Sequence, residues 1–223
     1  MNSTTLRAGH DPSHLGHHNE EAHAHAGAIG HGEGGPAPKR IVIGYGFWIF
    51  LLSDVILFAS FFAAYAVLST ATADGPAARD LFDLRSVAAE TGCLLASSFA
   101  CGMGSLAVAQ RSQKWTQIAL LVTGLLGFAF LLLEVREFAS FVARGAGPTR
   151  SAFLSSFFTL VGCHGLHVTA GLLWLGTMMA QFLAKGFRQN IRYRFLCFSL
   201  FWHALDIIWV AIFSLVYLVG VST

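Results

Sequence analysis

Charge is scarce in this chain. Only 12% of its 223 residues are Asp, Glu, Lys or Arg, against 55% hydrophobic and 13% aromatic, and mean hydropathy is +0.61. A soluble globular domain carries about twice that charge, so the bilayer is the natural solvent for this chain. A net charge of +2 spread over many loops leaves no basic patch for nucleic acid, and there is no acidic tail. Cysteine is sparse too: Cys93, Cys101, Cys163 and Cys197 all lie in apolar runs without a CxxC pairing. Cys93 and Cys101 fall on one predicted helix about 12 Å apart, beyond disulfide reach. All four read as small buried hydrophobes, which leaves the redox compartment open. The first forty residues contain no apolar stretch of signal-peptide type, so a cleaved secretory leader is not expected.

What that segment does contain is histidine: His10, His14, His17, His18, His23, His25 and His31, among Gly, Ala, Glu and Pro. Residues 1–40 have too little apolar surface to offset the entropy of ordering, so a disordered tail is expected. Weak metal capture is the functional alternative, but nothing in the spacing fixes a ligand geometry.

From Ile41 the chain breaks into five apolar runs, approximately 42–69, 84–109, 115–141, 151–183 and 195–220. Each is long enough to cross about 30 Å of hydrocarbon as a helix, and the fourth exceeds that need. "ADGPAARD", "RGAGPTR" and "KGFRQNIRYR" punctuate the gaps, with Asp83 and Ser151 placed to cap the second and fourth helices. The expected fold is all-α, a five-helix membrane bundle. Arg7, Lys39, Arg40, Arg111, Lys114, Lys185, Arg188, Arg192 and Arg194 fall on the N-terminal side; Arg79, Arg85, Arg144 and Arg150 fall on the other. This bias predicts a cytoplasmic N-terminus and a periplasmic C-terminus. The loops are too short for a soluble catalytic domain.

Ionisable residues inside spans are costly, and each needs a reason. Asp54 lies near the middle of the first run, His164 and His167 of the fourth, His203 and Asp206 of the fifth, a set expected to meet at one depth as a buried polar network. Nearer the outer surface lie Glu90, Glu134, Arg136 and Glu137. Glu134 and Glu137 share a helix face, whereas Arg136 is two residues from Glu134 and must find an acid on another helix or a lipid phosphate.

In "CHGLHV" the histidines are i and i+3, as paired metal ligands would be. Gly162, Gly165, Gly171 and Gly176 instead signal close helix approach, which favours histidines that bond a neighbouring helix. In "FWHALDIIW", Asp206 can accept from the His203 ring and fix its tautomer, either as a relay or as a polar pair locking two helices. Tyr45, Trp48, Trp115 and Tyr193 suit interfacial belts, and Phe47, Phe50, Phe58, Phe61 and Phe62 suit lipid or packing surface.

"GFWIFLLSDVILFASFFAAYAVL", "GPTRSAFLSSFFTLVGCHGLHVTAGLLW" and "SLFWHALDIIWVAIFSLVYLVG" together resemble subunit III of the haem-copper respiratory oxidases, over residues 41–222. Five spans, an Asp at position 54, the "DGPAARDLFDL" loop and the histidine-rich start are similar to the cytochrome o ubiquinol oxidase branch; the cytochrome c oxidase branch adds two preceding helices and usually has Glu at the position of Asp54. The resemblance implies a bacterial inner-membrane subunit with no catalytic, cofactor or metal site of its own. Haems and copper would belong to subunit I, and subunit II and a small fourth subunit would complete the assembly. It also implies phospholipid binding and support of proton uptake by the complex. Subunit III of a cytochrome c oxidase and a nitric oxide reductase partner are the near alternatives. A metal-cation transporter, suggested by the histidine tail, Asp54 and HxxH, is the alternative from another class.

Overall fold

The computed structural model describes residues 39–73, 78–186 and 189–222; the histidine-rich segment lies outside the described residues. Five helices are long and apolar enough to cross a membrane. They are α1 (Lys39–Leu68), α3 (Leu84–Ala109), α4 (Gln113–Ala143), α5 (Ala152–Lys185) and α6 (Gln189–Ile212), with a one-turn α2 (Ala78–Leu81) before α3. Their limits fall within a few residues of those expected, except for the last. There the α-helix ends at Ile212, a π-helical stretch runs from Phe213 to Leu218, and α7 (Val219–Ser222) closes the chain. The widened turn is visible where the Val219 N–H reaches back to the Ser214 carbonyl. Hydrophobicity carries no mark of such a turn, so the run reads as one helix.

Both anticipated caps form: Asp83 accepts from the Arg85 amide, and Ser151 accepts from the Leu154 amide. The α3–α4 connection is tight because Arg111, at φ 55°, takes the left-handed conformation that ends a helix. Its amide bonds Val108 and the Ser112 amide bonds Ala107, a Schellman closure usually given to glycine. Gly145, at φ 75°, closes α4 the same way, with Ala146 bonded back to Phe141.

Helix α6 is the hub, packing on α1, α3 and α5, while α4 lies along α3 and α5. Helix α1 packs only on α5 and α6 among the principal contacts and buries 11% of its apolar span, against 44% for α3, so most of its surface faces outward. The Phe stripe of α1 divides accordingly: Phe58 is buried, while Phe50 is half exposed. Tyr45, Trp48 and Trp115 are exposed near helix ends. All four cysteines are free.

Four helices meet at Trp202. A Cβ added at Gly127 of α4 would lie 2.8 Å from the indole, and one at Gly171 of α5 would lie 2.9 Å from it. The two glycines therefore form a slot for a ring that α6 supplies, while the indole N–H donates to the Ser97 hydroxyl of α3 at 2.8 Å. Glycine is present here for room, not flexibility.

Gly127→Ala is expected to destabilise the bundle by about 1–3 kcal/mol through overpacking, read as earlier loss of helix in detergent. In a double-mutant cycle, Trp202→Phe and Ser97→Ala should couple by about 0.5–1.5 kcal/mol. Additive losses would mean that the N–H bond contributes nothing beyond packing.

Candidate functional site

The polar residues within the spans form two groups at different levels. The first surrounds α6. Three side chains of the "WHALDIIW" stretch meet hydroxyls of antiparallel α3: Trp202 on Ser97, His203 on Ser98 at 2.6 Å, and Trp209 on Thr91 at 3.0 Å. Ser98 also lies close enough to Asp206 to act on its carboxyl. The carboxylate expected to hold the His203 ring directly thus shares a serine with it, and the two remain within electrostatic reach. Oδ1 of Asp206 has no partner among the described residues.

Thr91, Ser97 and Ser98 carry this arrangement, and sequence reasoning passed over them. Small hydroxyl residues on an apolar helix are common and usually bond their own backbone, as Thr91 also does with Val87. Their signal was the match of intervals, since Trp202 and Trp209 are seven apart while their acceptors on α3 are six apart.

His164 is fully buried, and its Nε2 donates to the Leu205 carbonyl of α6 at 3.2 Å. Because a carbonyl only accepts, the proton is on Nε2, and Nδ1 is left without a partner among the described residues. Trp209, Phe130 and Phe58 surround the ring at centroid distances of 5.1, 5.7 and 6.4 Å. His167 donates from Nδ1 to the Cys163 carbonyl of its own helix at 2.8 Å and meets the Phe58 ring at 5.3 Å. The two imidazoles therefore serve different backbone carbonyls, one on α6 and one on their own helix. Among the described residues no group of three His, Cys, Asp or Glu side chains is arranged to hold a metal ion. Asp54 sits half-buried on α1, close enough to Cys163 to act on it electrostatically. No described hydrogen bond links the side chains of Asp54, the α5 histidines and the His203–Asp206 pair to one another.

The second group lies at the end of the bundle that carries α2. Glu90 of α3 and Glu134 of α4 are 1% and 2% exposed; both Glu90 oxygens and Oε2 of Glu134 lack partners among the described residues. Gly165, within "CHGLHV", is the space for Glu134: a Cβ there would lie 2.6 Å from its Oε1. Gly162 has only ordinary contact with Phe138, and Gly176 faces open space, so the glycines of α5 do not act alike. Glu137 accepts from the Tyr217 hydroxyl at 2.9 Å, and Tyr217 stands in the π-helical stretch. The widened turn thus brings a fully buried tyrosine onto an acid of α4. Arg136 is exposed and makes no ion pair or hydrogen bond among the described residues.

A cavity of about 520 Å³ opens beside this group, lined by α2, α3 and α4. Asp83, Ser86, Glu90, Arg136, Glu137 and Arg144 provide its polar wall. A greasy groove of about 640 Å³ between α3 and α4 runs toward their other ends, past Phe99, Met103 and Trp115. The first group offers helix cross-bracing, and the second offers a pocket of mixed charge.

Residues 31–221 match the family model for cytochrome c oxidase subunit III. The cytochrome bo(3) ubiquinol oxidase subunit 3 of Pseudomonas aeruginosa is 49% identical over 208 residues, covering 93% of this chain and 95% of that protein. The quinol oxidase subunit 3 of Bacillus subtilis is 40% identical, covering 79% and 87% respectively. A cytochrome c oxidase subunit 3 from a Bacillus species is 42% identical, covering 78% and 84%. With a family match over most of its length and relatives of this similarity, the chain belongs to the cytochrome c oxidase subunit III family.

Proposed function

We propose that this chain is subunit III of a haem-copper quinol oxidase of the cytochrome bo(3) kind, in a bacterial inner membrane. The observation that carries the reading is the 49% identity to the Pseudomonas aeruginosa subunit over nearly the full length of both proteins. The complex oxidises ubiquinol, reduces oxygen to water and pumps protons; this chain carries no haem or copper and stabilises subunit I, which does. Subunit II and a small fourth subunit complete the assembly. The 42% identical Bacillus relative keeps a cytochrome c oxidase as the second reading. A two-copper centre in the co-purifying subunit II would favour that second reading, and its absence favours the quinol oxidase.

Within the complex, the polar residues at mid-depth act as braces. His164 ties α5 to α6, and His203 ties α6 to α3 through Ser98. Such bonds have few competing partners in hydrocarbon, which suits a subunit whose work is to keep its neighbour intact. A metal-cation transporter finds no comparable support, since the relatives named above are oxidase subunits. The charged group beside α2 borders lipid on the outward side in the topology expected from the loop charges, and there the chain holds a phospholipid headgroup.

Replacing Asp54 by Asn should leave the haem spectrum of the assembled complex intact while shortening its turnover lifetime or lowering assembly yield. Loss of haem signal from a fully assembled complex would contradict a purely supporting role. Gly165→Val, which drives a side chain into Glu134, should reduce the amount of subunit III retained by the complex about tenfold or more; full retention would show that Glu134 has room elsewhere.

A further inference from the structure

The cavity beside α2 has walls of both signs, and that restricts what it can take. Asp83 and Arg144 both stand close enough to Glu137 to act on its carboxyl, and Arg136 lines the same cavity. Among the described residues, none of these acids and arginines closes into an ion pair. Arg144 spends Nε and one terminal nitrogen on Ser140, leaving the other terminal group without a described partner; Arg136 spends none of its five donors on a described residue. On the acid side, Glu137 has one described bond, to Tyr217, and Glu90 lines the cavity buried with both oxygens unpartnered among the described residues. Spare donors and spare acceptors therefore face one space of about 520 Å³, a volume within the range of small-ligand sites.

A simple anion placed there meets Asp83, Glu90 and Glu137, and a simple cation meets Arg136 and Arg144. A ligand carrying both charges, a few bonds apart, answers both walls. Its anionic part suits the planar forks of the arginines, as a phosphate does. Its cationic part must bring N–H groups, because carboxylate oxygens held out of water need donors. A quaternary ammonium has none and is usually held by aromatic faces. The one aromatic lining residue among those described is Phe141, and its ring already carries the Arg144 guanidinium at 5.2 Å. Arg136 lies about 10 Å short of the end of α4 at Ala143, a depth from which a long side chain reaches a headgroup layer.

We propose that this cavity is a headgroup site selective for an aminophospholipid, with the phosphate on Arg136 and Arg144 and the primary ammonium on Glu137 above Glu90. The inference rests on the phospholipid reading above and adds the chemical class of headgroup. Tyr217 donates to Glu137, so the π-helical turn that delivers Tyr217 also sets the carboxylate that receives the ammonium.

The test uses the intact oxidase complex, delipidated and titrated by native mass spectrometry with palmitoyl-oleoyl phosphatidylethanolamine, phosphatidylcholine or phosphatidylglycerol. The wild-type complex should hold one phosphatidylethanolamine about tenfold more tightly than either other lipid. Glu137→Gln should bring phosphatidylethanolamine down to the level of phosphatidylcholine, and the Arg136→Gln/Arg144→Gln double variant should weaken all three. Exposed Arg136→Gln alone supplies the readout if the Glu137 variant fails to assemble, and must then weaken phosphatidylethanolamine. Equal or tighter binding of phosphatidylglycerol or phosphatidylcholine at an arginine-dependent site overturns the headgroup selectivity and leaves the lipid site standing. No loss of any lipid in the double arginine variant overturns both, as does a partner-subunit side chain cross-linked into the cavity. Glycerophosphoethanolamine bound as tightly as the lipid would overturn the membrane source.

Discussion

The bundle depends on one large ring having both a place to sit and a place to donate. Trp202 needs a cavity the size of an indole at the centre of four helices, and Gly127 and Gly171 leave it. It also carries an N–H that hydrocarbon cannot satisfy, and Ser97 accepts it. Either requirement alone could be met in many registers. Together they constrain α3, α4, α5 and α6 at one level, and the neighbouring bonds of His203 to Ser98 and Trp209 to Thr91 extend the same alignment along α3 and α6. Apolar surface cannot supply this precision in a membrane, since lipid tails compete equally for it.

The same economy explains the histidines. A polar side chain in a span must find a partner within the protein, and the nearest acceptors are backbone carbonyls. His164 and His167 each take one, on different helices, and aromatic rings pack beside both imidazoles. Two residues that look alike by spacing thus do different work, one tying α5 to α6 and the other bonding its own helix. The glutamates behave otherwise. Glu90 and Glu134 are buried without described partners, and the space around them is kept open by Gly165 and by a cavity leading outward. These unsatisfied polar groups are what the proposed headgroup site would draw on.

Much of this was legible in the sequence. The five spans, the caps at Asp83 and Ser151, the free cysteines and the family were all readable, because each depends on local composition or on short motifs. The buried acids were readable as a group, since charge in an apolar run is conspicuous wherever it points. The hydroxyls of α3 were not, because a serine on an apolar helix carries no sign of whether it bonds its own backbone or a tryptophan on a distant helix of the chain. Nor was the π-helical stretch, whose residues Phe213–Leu218 have the hydrophobicity of an ordinary helix.

The chain by itself determined that it would be a membrane bundle and of what family, because burial in lipid demands long apolar helices and the polar exceptions stand out. Tertiary structure alone decided what those exceptions do. Whether Gly165 admits a neighbouring helix or a glutamate, whether His164 and His167 bond one helix or two, and whether His203 meets an acid or a serine all depend on rotation and register. Those are set by how Trp202 seats between glycines on two other helices, and no single helix contains that information.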